Sequence, residues 1–336
     1  MTAQPLLLRP HRYSFIVLYG LDVDSITKLD LRKAGIDGFK MKSPKFKKLL
    51  NEVVNIQHLL KDELKLTTTF HADEISYVFF AKSNETLEML YRFLIILTPS
   101  KITPWFSFDA EFHSYKDRGK TIEEYRADSV SYHSIGKLYS ALEVNDILSF
   151  YTSDYKRINN LLNKFFTLRS PDFYKRLLNL YVTAYNEERD YFKFLMLFMI
   201  VESLIVDDEN TGVVYKIRRL CAVLVGDSID MSDLIFQKIA KAYAVRSTFV
   251  HSAKNTVHEG RYLPFLQSIV CELLITLMLI EPKDDKIFAL TNRLGFGVKS
   301  SLIKDKGLRG YQVLMNNRMH IHRNLKVAAV QATKKP

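Results

Sequence analysis

The chain predicts an α+β fold: a small N-terminal α/β domain, then an all-α helical bundle, then a basic C-terminal tail. Three observations carry this expectation. Short β-branched and aromatic runs recur before residue 115. Apolar residues at helical spacing dominate from 172 to 280. Positive charge concentrates in the last 54 residues. The implied divisions are 1–115, a helical connector at 116–170, the bundle at 171–282 and the basic segment at 283–336.

In the first division "YSFIVLYG" (13–20) ends at a glycine and reads as a strand, as does "ISYVFFAK" (75–82). "WFSFDAEFH" alternates from Trp105 to His113, with Phe106, Phe108, Ala110 and Phe112 opposing Trp105, Ser107, Asp109 and Glu111. Between the first two strands, Leu49, Val53, Ile56, Leu60 and Leu64 recur at helical spacing after Pro44, and residues 84–98 read as a second helix before Pro99. This β-α-β-α-β order predicts a small sheet covered by helices. No Gly-rich loop follows any of these strands, so no nucleotide-binding fingerprint is present in the sequence.

Residues 116–170 read as polar and then helical, with helices at 138–150 and 155–168 and a break at Pro171. Beyond it, helices are expected at 172–186, 189–207, 212–225, 231–251 and 260–280, punctuated by Asn210-Thr211-Gly212, Gly226-Asp227-Ser228 and Gly260. Five helices with short connections make a bundle. Its two most apolar runs contain Lys193 with Glu202, and Gln267 with Glu272. They read as core helices rather than membrane spans. The tail holds "NRLGFGVKS" and "GLRGYQVL", where a short hairpin or a surface-draped segment would both fit.

With 336 residues and 47% hydrophobic content, the chain has enough apolar material for real cores. Cys221 and Cys271 are too few for a disulfide framework and fit a reducing compartment. The apolar run at Leu6–Leu8 is too short for a signal peptide, so the expected location is cytoplasmic. The net charge of +11 is uneven: residues 283–336 alone carry 12 basic against 3 acidic groups. Such a segment attracts phosphate backbones, and equally it suits a solvated surface. The lysine run "KMKSPKFKK", with Lys45, Lys47 and Lys48, has the same two readings. So do Arg318 and Arg323 in the tail. His320 and His322 are the nearest approach to a metal cluster, and without a nearby carboxylate they assign no metal. No cofactor is implied.

The chemistry-bearing stretch is "YAVRSTFVHSAKN" (243–255), which places Arg246 and His251 five positions apart. With 18 Arg and 9 His in the chain, chance supplies about 0.5 such pairs at one fixed spacing. Arg126 and His133 form a similar pair with nothing around it. The bland reading is a helix end where His251 favours the C-terminal dipole. Context adds the rest. Tyr243, Arg246-Ser247 and Val250-His251 follow an apolar helix carrying Glu202-Ser203-Leu204 and a basic helix carrying Arg218-Arg219. Together these residues resemble the HEPN superfamily, in particular its Apea-like branch, over about residues 172–281. Where that family often has Gly after the His, this chain has Ser252.

The resemblance implies a bundle of four or five helices that pairs with a second copy. It implies metal-independent RNA cleavage in many members, roles in antiviral defence or toxin-like growth arrest with a regulatory or antitoxin partner, and loss of catalysis in others that act as scaffolds. On this reading Arg246 and His251 are catalytic, with Ser247, Tyr243 and Glu202 in support. Arg218, Arg219 and Lys254 join the lysine run and tail arginines as nucleic-acid contacts. His can move protons near neutrality, and the Arg fork holds phosphate oxygens. On an ideal helix, five residues turn through about 500°, leaving the two side chains about 140° apart. Convergence therefore requires the helix to end at His251, or a partner copy to complete the site.

Overall fold

The computed structural model describes residues 11–40, 43–44, 53–54, 76–97, 100–132, 147–168, 172–205, 212–252, 259–282 and 287–299. The chain divides into two compact units: Met1–Ile95 with Ser100–Phe166, and Ile96–Pro99 with Thr167–Pro336.

Among the described residues the first unit carries a six-stranded sheet: β1 (Tyr13–Tyr19), β2 (Asp37–Lys40), β3 (Val53–Val54), β4 (Ser76–Ala81), β5 (Thr103–Asp117) and β6 (Lys120–Tyr132), in the order β2-β4-β1-β5-β6-β3. Every pairing is antiparallel except β3 with β6. Central β1 is buried along its whole length, which explains why it reads as a continuous apolar run rather than an alternating one. One sheet face gathers Tyr13, Phe15, Val17, Phe39, Val78, Phe80, Phe108 and Tyr125. Phe15 stacks on Phe108 with ring centres 4.5 Å apart. A short helix α1 (Val23–Ile26) is capped by Asp22, whose side chain accepts from the Asp24 amide, as N-caps require. Two longer helices follow, α2 (Asn84–Leu97) and α3 (Tyr155–Thr167). Their Phe93 and Phe165 rings meet at 5.4 Å.

Three expectations are corrected here. The connector at 116–170 is not helical at its start: β5 runs to Asp117, and residues 120–132 form β6. That strand is polar because much of it faces solvent, and pairing with β5 from Phe106↔Tyr132 to Asp117↔Lys120 sets its state. Within the helix expected at 138–150, residues 147–150 are not helical, and Leu148 bridges Leu21; the rest lies outside the described residues. Within the helix expected after Pro44, Val53 and Val54 instead pair in parallel with Tyr125 and Arg126, a state that suits their β-branched side chains. The remaining positions of that segment, the lysine run included, lie outside the described residues.

The second unit is helical: α4 (Asp172–Asn186), α5 (Asp190–Glu202), α6 (Val213–Val225), α7 (Ile229–Ser252), α8 (Glu259–Ile280) and α9 (Ile287–Asn292). The turn from α6 to α7 is tight. A Cβ on Gly226 would lie 2.3 Å from Ser232 Oγ and 2.8 Å from the Ala222 carbonyl oxygen, so the turn admits only glycine without movement. Tyr262–Ile280 of α8 is long and apolar enough to cross a membrane, which its shorter sequence reading did not anticipate; 78% of that window is buried inside the protein. Tyr174 donates to the Leu274 carbonyl at 3.0 Å, and Tyr181 meets Cys271 Sγ at 3.0 Å. Both ties fix α8 against α4.

After α9 the chain returns to the bundle. Arg219 donates to the carbonyls of Asn292 and Leu294, and the Gly297 amide donates to Ser232 Oγ. Lys299 is fully buried and pairs with Glu272 of α8, with Asp227 Oδ1 at 3.5 Å. Residues 300–336, with Arg318, Arg323 and both tail histidines, lie outside the described residues.

Candidate active site on the fourth bundle helix

Buried Ser232, Ile235, Ile239 and Ala242 mark the core line of α7. Their i, i+3, i+4 progression reaches Arg246 next. An arginine on a core line needs a counter-charge, and α5 provides it. Arg246 Nη2 lies 3.1 Å from Glu202, donating to Oε2. Glu202 is the last residue of α5, where the helix dipole disfavours a carboxylate; the guanidinium offsets that. Both side chains keep about a quarter of their surface in solvent, 24% and 23%.

Aromatic rings surround the pair. The Arg246 guanidinium sits 5.5 Å from the Tyr243 ring, a distance at which cation–π attraction operates. Tyr243 is edge-on to Phe198 of α5 at 5.7 Å, and Phe249 meets Tyr191 at 5.3 Å. These contacts hold the C-terminal half of α7 against α5. Arg246 Nε is buried without a hydrogen-bond partner among the described residues. Nη2 thus holds Glu202, while Nε is closed off from solvent.

His251 is placed differently. Gln237, Lys241, Ala244, Thr248 and His251 are all exposed and mark the solvent line of the same helix. Helix α7 continues through His251 to Ser252, so the helical turn separates the imidazole from Arg246. One copy of the chain brings Arg246, Glu202 and Tyr243 together and leaves His251 apart. Half-buried Ser247 follows Arg246 on the helix. Lys254 lies outside the described residues.

The two arginines of α6 are engaged internally. Arg218 lies over the Phe236 ring at 3.8 Å and its Nε donates to the Phe236 carbonyl. Arg219 holds the segment after α9. Their contacts are structural, tying α6 to α7 and to the returning chain.

Among the described residues no group of three or more His, Cys, Asp or Glu is placed to hold a metal ion. Sequence reasoning missed the ion pair between Glu272 and Lys299. An isolated acid in the otherwise apolar α8 was the available signal, because a buried carboxylate demands a partner. No family model, curated protein or solved structure matches this chain.

Proposed function

We propose that this protein is a metal-independent endoribonuclease of HEPN type, acting in the cytoplasm as a homodimer in antiviral defence or a toxin-like growth-arrest system, under a regulatory or antitoxin partner. The observation that carries the reading is the guanidinium of Arg246, oriented by Glu202 and with about a quarter of its side chain in solvent. A phosphate oxygen is the ligand such a fork suits.

In this mechanism the RNA supplies its own nucleophile. One imidazole takes the 2′-OH proton as the oxygen attacks phosphorus, and a second protonates the departing 5′-oxygen. The products are a 2′,3′-cyclic phosphate and a 5′-hydroxyl. Arg246 stabilises the charge on the phosphorane. Because His251 and Arg246 of one chain point apart, the imidazoles come from two copies related by a two-fold axis.

Purified protein incubated with mixed RNAs in chelator should yield cyclic phosphate ends, and His251→Ala and Arg246→Ala should each reduce cleavage by 10² or more. Full cleavage in both variants would sink the proposal. A second reading, a non-catalytic dimerisation scaffold that binds nucleic acid, is favoured by the placement of Arg246 on the core line and His251 on the solvent line. It requires salt-dependent binding with no cleavage.

A further inference from the structure

Strands β5 and β6 form a hairpin longer than the sheet that carries it. β1 pairs with β5 only from Thr103 to Ala110, and β3 touches β6 only at Tyr125 and Arg126. Among the described residues, then, 111–117 and 120–124 stand as a two-stranded ribbon. Seven residues at about 3.4 Å each give it a length of roughly 24 Å. Edge-on packing of Phe112 and Tyr125, 5.6 Å apart, secures the base. Arg126 lies over Tyr115 at 5.6 Å and donates to Glu124.

The tip is a two-residue turn between Asp117 and Lys120, with both central residues at positive φ: Arg118 at 47° and Gly119 at 79°. This is the type I′ geometry that favours Asn-Gly or Asp-Gly, because among residues with a Cβ only Asn and Asp readily tolerate a positive φ. Arg118 occupies the position against that preference, and its side chain is exposed at the apex. Nothing in the fold of the turn requires a guanidinium. Strain of this kind at an exposed residue points to a use for its side chain.

Lys116 and Lys120 flank it, also exposed. Lys116 shares a face with Thr121, whereas Lys120 shares the opposite face with Asp117. The tip thus carries a cation on each face and one at the apex. The positive charge is confined to the tip: Ser114 to Ile122 carries Lys116, Arg118 and Lys120 against Asp117, a net +2, whereas the ribbon from Glu111 to Glu124 adds Glu111, Glu123 and Glu124. Glu123 follows below, and Glu124 is held by Arg126. Tyr115, 41% exposed, adds an aromatic face beside the cations.

We propose that this ribbon is a nucleic-acid-binding arm, entering the groove of a duplex with Lys116 and Lys120 facing the two flanking phosphate walls and Arg118 leading. A two-stranded ribbon fits the major groove of a B-form duplex, about 12 Å wide, and contacts of this kind position the protein without reading sequence. The assignment rests on the nucleic-acid part of the proposed function but lies in the other unit and does not depend on cleavage.

The test is equilibrium binding of the full chain to a short DNA duplex and to a 2′-O-methyl RNA duplex of the same sequence, over a salt series. Neither probe carries a 2′-OH, so a cleavage step cannot enter. Arg118→Asn keeps the turn, because Asn tolerates positive φ. It should weaken binding ~5-fold at low salt and lower the salt slope by about 0.9 on DNA, with Tm unchanged or raised. Adding Lys116→Gln and Lys120→Gln should lower the slope by about 2.7 in all. The probe that shows the larger loss names the duplex form. Unchanged affinity and slope in the triple variant overturn the arm, whether or not the protein cleaves RNA. Slope loss in the triple variant of a protein that never cleaves RNA leaves the arm standing and removes the ribonuclease.

Discussion

Arg246 and His251 lie five residues apart on α7 and face opposite ways, the first on the core line against Glu202 and the second on the solvent line. Their contributions to stability must therefore differ. Glu202→Gln keeps the volume but removes the counter-charge from a guanidinium that is three-quarters buried. It should destabilise the bundle by about 1–2 kcal/mol. His251→Ala, on an exposed line, should stay within about 0.5 kcal/mol of the parent. Urea unfolding of both variants checks the contrast. Equal effects would mean that the helix is rotated from the orientation described.

Lys299 and Glu272 form a second, deeper pair, with Asp227 nearby. Removing one member of a buried pair leaves an uncompensated charge in low dielectric. Lys299→Met should lower stability by about 3–5 kcal/mol, whereas Lys299→Met with Glu272→Leu should recover most of it. Thermal unfolding of the parent, the single and the double variant closes the cycle. If the single variant is as stable as the parent, the returning segment is not held by this pair.

Stability should fall at alkaline pH, and the buried tyrosines set the window. Burial pushes Tyr77 up to about 12 from an ordinary 10.0, and pushes Tyr174 and Tyr181 higher still. The folded state holds these protons after the unfolded chain has lost them, so stability falls as pH rises from the unfolded value to the folded one. Their contribution is thus complete below pH 10 and is lost as pH rises, for Tyr77 by about pH 12. Each tyrosine contributes a slope near −1.4 kcal/mol per pH unit inside its window. Tyr174→Phe should flatten the alkaline slope while costing about 1 kcal/mol at neutral pH through the lost hydrogen bond to the Leu274 carbonyl. Urea midpoints from pH 8 to 11 measure both effects.

The bundle was legible because α4 to α8 bury apolar residues with a 3.6-residue period that needs no partner to be read. The opposed placement of Arg246 and His251 was legible for the same reason, since a five-residue step on a helix leaves about 140°. β6 was not. Its "KTIEEYRADSVSY" carries charge on exposed positions, and only pairing with β5 makes it a strand. Val53 had helical spacing to its neighbours in sequence, but long-range pairing of Val53 and Val54 with Tyr125 and Arg126 overrode it. The Arg118 apex was hidden because a turn containing Arg-Gly lacks the Asn or Asp that usually announces it.

The α6–α7 turn tests whether close approach, rather than composition, fixes the corner of the bundle. Gly226 has an ordinary φ near −76°, so a left-handed conformation is not the reason for glycine. The reason is space. A Cβ would meet Ser232 Oγ at 2.3 Å, Ser232 Cα at 2.7 Å and the Ala222 carbonyl oxygen at 2.8 Å. Gly226→Ala should therefore destabilise by about 2 kcal/mol or more, despite the entropy that alanine removes from the unfolded chain. Ser232→Ala frees only the hydroxyl and leaves both backbone clashes, so Gly226→Ala with Ser232→Ala should remain well below the parent in Tm. Full rescue by the second substitution would place the strain in the hydroxyl alone and return the corner to a side-chain effect.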